Sequence, residues 1–126
     1  MRTLGKAVRE RRKALGLTQQ ELATRVKFED GHAMSEPYLC VIERDLYRPR
    51  DHIIARFARA LGTNPDVFFY LAGKVPPDLC EVDATNEQVE AAFEAFRRVL
   101  ADGRNGMSRE PARDDLSRRS EVRDAI

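Results

Sequence analysis

The sequence predicts an all-α protein: a compact five-helix domain, then a linker, an amphipathic helix and a charged tail. Three observations point there. Helix-capping residues recur at regular intervals over the first 73 positions, and apolar residues follow a 3.6-residue spacing between them. No stretch sustains the alternation of a half-buried strand. A chain of 126 residues can bury one core without disulfides or structural metal. Its 42% hydrophobic and 34% charged residues are the balance of a folded chain rather than a disordered one.

The first helix spans about Leu4 to Leu15, with Leu4, Val8 and Leu15 facing inward and Gly16 as its stop. Thr18 opens the second. Thr18 and Glu21 have capping-box spacing, and Leu17 and Leu22 stand at the staple positions on either side. That helix runs to about Val26 and buries Leu22, Ala23 and Val26. Ser35 repeats the device for a third helix, with Met34 against Leu39 as the staple and Pro37 in the first turn. It reaches about Arg44 and turns Leu39 and Ile42 inward. Pro49 precedes a fourth helix over about Asp51 to Leu61, with Ile54, Phe57, Ala58 and Leu61 inside and Gly62 at its end. Asn64-Pro65, a cap followed by a first-position proline, opens a fifth through Val67, Phe68 and Leu71 to Gly73.

Residues 74–85, with Pro76 and Pro77, read as a linker. Thr85 and Gln88 form another capping-box pair, and Val89, Ala92, Phe93, Phe96, Val99 and Leu100 make an apolar stripe over 86–101. Asp102-Gly103 is the expected stop. The charged segment over 102–126 reads as a mostly mobile tail with a transient helix near Asp114 to Arg119.

The net charge of +1 conceals an asymmetry. Residues 1–75 hold 14 Lys/Arg against 9 Asp/Glu, and residues 76–126 hold 8 against 12. A basic domain with an acidic extension suits a polyanion partner, although a solvated helix face has the same composition. The longest apolar run, Val67 to Ala72, is too short to cross a bilayer, and no signal-peptide core is present, so a cytoplasmic protein is expected. Cys40 and Cys80 fit neither a zinc spacing nor a disulfide framework. His32 and His52 lack metal-ligand spacing, and no phosphate loop, nucleophile elbow or paired-carboxylate motif occurs. The expectation is therefore no enzyme, no metal and no cofactor.

The joint between the second and third helices carries the function. Two capped helices separated by a turn form a helix-turn-helix arrangement. The string Leu15-Gly16-Leu17-Thr18-Gln19-Gln20-Glu21-Leu22-Ala23, then Ser35-Glu36-Pro37-Tyr38-Leu39-Cys40-Val41-Ile42-Glu43-Arg44, then Pro49, then Ala58-Arg59-Ala60-Leu61-Gly62, resembles the lambda-repressor-like (Cro/XRE-type) DNA-binding family. The resemblance covers about residues 2–73.

It implies that Gln19 contacts a backbone phosphate, which agrees with a polar donor beside a helix N-terminus. It also implies an ion pair between Arg12 and Glu43 tying the first helix to the third. From the residues alone, these are equally two surface charges. Base-reading positions fall on Ser35, Glu36, Pro37 and Val41, with Tyr38 and Cys40 nearby. The usual amides are absent there, which removes bidentate adenine recognition. Glu36 can accept from a cytosine amino group or simply favour the first helical turn, and Val41 can meet a thymine methyl. Arg44, Arg48 and Arg50 suit phosphate contacts. Seven residues, Lys27 to Ala33, stand where the family has a shorter turn. With Glu29 and Asp30 in it, that loop is expected not to touch DNA. Cys40 is either a redox switch or a small packing residue.

The expected function is a sequence-specific transcriptional regulator, a repressor that binds double-stranded DNA as a homodimer and associates with the nucleoid if the cell is bacterial. The stripe of Val89, Phe93, Phe96, Val99 and Leu100 supplies the dimer contact or folds back on its own domain. Two rivals stand beside it: an antitoxin whose C-terminal segment masks a toxin, and an adaptor that keeps the fold without reading DNA.

Overall fold

The structure, a computed structural model, describes residues 2–105. The helix expected near Asp114 to Arg119 lies outside the described residues. Among the described residues the order is α1 (Leu4–Ala14), α2 (Gln19–Arg25), α3 (Glu36–Glu43), α4 (Asp51–Leu61), α5 (Pro65–Leu71), α6 (Pro77–Cys80) and α7 (Asn86–Asn105). The chain divides into a compact unit, Met1–Val82, and a second unit that begins at Asp83. The first therefore runs past Gly73, the boundary expected from the sequence.

Local chemistry sets each helix start. Thr3 accepts the Lys6 N–H at 3.2 Å and caps α1. At α2 the capping box closes on both sides: Thr18 Oγ1 accepts from the Glu21 amide at 3.1 Å, and the Glu21 carboxylate accepts from the Thr18 amide at 2.9 Å. Those hydrogen bonds hold the Glu21 carboxyl below the usual carboxylate range. Ser35 caps α3 through the Tyr38 N–H at 3.3 Å, and Asn64 caps α5 through the Asp66 N–H at 2.8 Å.

The core lies among α1 to α5. Leu4, Ala7 and Val8 from α1 meet Leu22 and Ala23 from α2, Leu39 and Ile42 from α3, Ile53, Ile54, Phe57 and Leu61 from α4, and Phe68 and Phe69 from α5. Met34 and Val26 complete it from the loop side. Two expected inward positions are corrected. Leu15 is 42% exposed, because it caps α1 after the last helical turn and Arg12 occupies the inner position one turn earlier. Val67 is 37% exposed, and its neighbours Phe68 and Phe69 fill the space instead.

One glycine is required by proximity rather than by backbone angle. A Cβ on Gly5 would stand 2.5 Å from the Ile42 carbonyl oxygen and 2.7 Å from that of Glu43, so α1 and α3 touch backbone to backbone there. The Gly5 N–H donates to Asp45 Oδ1 at 3.0 Å, and the Thr3 hydroxyl donates to Asp45 Oδ2 at 2.7 Å. The end of α3 is thereby pinned to the start of α1.

Two further expectations change. The linker contains α6, one turn started by Pro77, whose fixed φ suits the first helical position. The last helix does not stop at Asp102-Gly103 but continues to Asn105. A glycine inside a helix costs about 1 kcal/mol relative to alanine, too little to end a capped helix of this length. The α7 cap itself is the expected one: Thr85 and Gln88 exchange hydrogen bonds at 2.8 and 3.1 Å. Val89, Phe93, Phe96 and Leu100 are exposed on α7, and Val99 is half-buried.

Candidate nucleic-acid interface

The joint between α2 and α3 is more structured than a loop. Lys27 and Ala33 pair as an antiparallel bridge, the Phe28 N–H donates to the His32 carbonyl at 2.8 Å, and the Met34 N–H donates to the Val26 carbonyl at 2.8 Å. Gly31, at φ +86°, makes the reversal possible. The seven extra residues thus form a small hairpin. Its Phe28 ring meets the Tyr38 ring edge-on at 5.4 Å, and Tyr38 meets Tyr47 at 5.2 Å. This aromatic chain ties the hairpin to α3 and to the α3–α4 loop. Burial and the neighbouring Tyr47 push the Tyr38 phenol up to about 12, and the Arg50 charge opposes them.

Beneath α3, Arg12 and Glu43 meet. Arg12 donates to both Glu43 oxygens, from Nε at 2.7 Å and from Nη2 at 3.0 Å, and its Nη1 donates to the Leu17 carbonyl at 2.8 Å. Gln19 Nε2 donates to Glu43 Oε1 at 3.0 Å. Both charged side chains are at most one-tenth exposed. The bidentate geometry and the added donors supply what two desolvated charges need. Gln19, the first residue of α2, is therefore held in place through its amide nitrogen.

The expected contact residues lie on connected surfaces. Glu36, Pro37, Val41 and Arg44 project from the side of α3 opposite Leu39 and Ile42, as helical periodicity requires. Ser35, Glu36, Pro37 and Arg44 are exposed, and Tyr38, Cys40 and Val41 are half-buried. Arg48 and Arg50 are exposed on either side of buried Pro49, just before α4. A cleft of about 350 Å³ runs beside α3, lined by Arg9, Arg12, Gln19, Cys40, Glu43 and Arg44. It adds Arg9, which sequence reasoning left out. The signal was present: Arg9 stands one helical turn from Arg12. Cys40 is part of the wall of this cleft rather than of the core.

Among the described residues, no group of three His, Cys, Asp or Glu side chains is placed to hold a metal ion. None of the described helices is long and apolar enough to cross a membrane.

Two capped helices, joined by a turn and backed by a three-helix core, define a helix-turn-helix domain. The chain belongs to that family in its Cro/XRE-like form: the family model described as "Helix-turn-helix domain" matches residues 3–68. A protein of Methanothermobacter thermautotrophicus, described as an uncharacterized HTH-type transcriptional regulator, is 44% identical over 62 residues. That match covers 49% of this chain and 77% of the relative. No solved structure matches the chain.

Proposed function

We propose that this protein is a sequence-specific DNA-binding transcriptional regulator that acts as a repressor. The observation that carries the proposal is the outward side of α3, where exposed Glu36 and Pro37 and half-buried Val41 stand between arginines at Arg44, Arg48 and Arg50. The name of the archaeal relative supports the same reading. In this reading α3 enters the major groove. Gln19, Arg44, Arg48 and Arg50 hold phosphates, while Ser35, Glu36, Pro37 and Val41, with Tyr38 beside them, face base edges. Glu36 accepts from a cytosine amino group, and Val41 packs on a thymine methyl.

One such unit covers a half-site. The apolar side of α7, with Val89, Phe93, Phe96, Val99 and Leu100, supplies a homodimer contact, and the two half-sites then lie about 34 Å apart. Selection of bound sequences from random duplexes tests the proposal. A two-fold related preferred sequence is expected. Arg48→Ala and Arg50→Ala should each weaken binding to every duplex and lower the salt slope by about one unit. Glu36→Ala and Val41→Ala should instead shift the preferred bases by about 1–3 kcal/mol per contact. Binding indifferent to both salt and sequence would end the regulator reading.

A further inference from the structure

The Met1–Val82 unit has a second cleft, of about 340 Å³, at the other end of α2. Arg25, Lys27, Phe28, Arg56, Arg59 and Ala60 line it. Four cations from three segments converge there: the last turn of α2, the first residue of the hairpin, and α4. None of the lining residues is acidic. The nearby hairpin acids face other groups, with Asp30 bonded to His32 and Glu29 3.8 Å from His52. Arg25 lies one turn from Glu21, whose carboxylate is already engaged by Thr18.

The walls of this cleft are built. Arg56 is half-buried, and its guanidinium donates to the Lys27 carbonyl, which fixes α4 against the hairpin. The bridge between Lys27 and Ala33 and the edge-on contact of Phe28 with Tyr38 hold the remaining wall. Convergent like charges repel unless an anion joins them, so the arrangement favours a negatively charged ligand.

Position selects the ligand. The cleft that contains Gln19 lies at the N-terminal end of α2 and this one at the C-terminal end. With its seven residues, α2 is about 10 Å long, close to the roughly 12 Å width of the B-DNA major groove. Phe28, through Tyr38, also connects this cleft directly to α3. We propose that the second cleft binds a phosphodiester of the DNA strand opposite the one held at the N-terminus of α2. The hairpin then extends the footprint of each half-site across the groove, in contrast to the non-contacting loop expected from Glu29 and Asp30. This inference rests on the DNA-binding reading above.

The test uses the full chain and the duplex selected by the wild type. The double variant Arg25→Gln/Arg59→Gln removes two cations and leaves Arg56, the hairpin anchor, in place. Its slope of log affinity against log salt should fall by about 0.9 per lost contact. Over a fourfold rise in salt it should therefore lose about 12-fold less affinity than the wild type. The preferred sequence should not change. Methylphosphonates placed singly along each strand should reveal a phosphate whose neutralisation weakens the wild type but not the variant, on the strand opposite the Gln19 contact. Lys27→Gln, with a shift of about one unit, serves if circular dichroism shows the double variant unfolded.

A wild type that binds its duplex while the variants keep its salt slope would overturn the inference and leave the regulator reading standing. Lost affinity of the variants for a polyglutamate peptide, with the DNA slope unchanged, would overturn it in favour of an acidic protein partner. A wild type that binds no duplex would remove the regulator reading and this inference with it.

Discussion

In the Met1–Val82 unit, each helix from α1 to α5 turns its apolar side onto another; on α7, Val89, Phe93 and Leu100 are exposed. The two regions use the same starting device, a Thr with a partner three residues on, so capping does not separate them. Tertiary closure does. In the first unit, burial of large side chains from five helices accompanies a paired charge network. Among the described residues no buried side-chain nitrogen or oxygen lacks a partner. A single helix in water has only propensity, caps and neighbouring side-chain pairs, a marginal sum even at twenty residues. The first region is complete within one chain, and the second offers a surface.

The sharpest way to break this contrast is to disturb the charge network of the first region. Glu43→Ala leaves the Arg12 guanidinium buried with only the Leu17 carbonyl, and Arg12→Met leaves the Glu43 carboxylate with Gln19. Each single change should cost about 3–5 kcal/mol in urea denaturation. The double variant Arg12→Met/Glu43→Leu should cost clearly less than the sum, since no charge is left stranded. Additive effects would show that the two side chains do not act as one unit.

A glycine comparison comes next in size. Gly5→Ala forces a methyl against two carbonyl oxygens of α3 and should destabilise by about 1–3 kcal/mol, because backbone cannot move aside as a flexible side chain can. Gly103→Ala, inside α7, should act the other way and increase helicity, by up to about 1 kcal/mol. Thermal melts of the two variants check both signs. A stable Gly5→Ala would mean that α1 and α3 can separate at little cost.

These residues also show where sequence reasoning reaches and where it stops. Caps are local: Thr18, Ser35, Asn64 and Thr85 act on amides two or three residues away, so their spacing alone places the helix starts. Inner faces follow periodicity only while the helix lasts, which is why Val8, in the middle of α1, is placed well and Leu15, one residue past its end, is not. The closeness at Gly5 and the pairing of Lys27 with Ala33 depend on residues brought together by the fold. No spacing in the chain encodes them. The recognition side of α3 follows from motif and periodicity, whereas the second basic cleft joins Arg25 to Arg59 across two elements and emerges only in three dimensions.

The smallest expected effect tests the other half of the comparison. If α7 serves to join two copies, a chain ending at Val82 should keep the urea stability of the dilute full-length protein to within about 0.5 kcal/mol, as independent regions do. What changes is the dependence on concentration. Association stabilises the folded state by mass action, so the full chain should melt at higher temperature as its concentration rises, and the shorter chain should not. The driving force is adequate: burial of Val89, Phe93 and Leu100 contributes about 1.5–3 kcal/mol for each side chain. Phe93→Asp in the full chain should abolish the concentration dependence without lowering the melting temperature of the dilute protein. Sedimentation provides the independent reading, with a dimer for the wild type and a monomer for both the shortened chain and Phe93→Asp. A full-length melt that ignores concentration, together with a monomer in sedimentation, would leave α7 with no role in joining two copies.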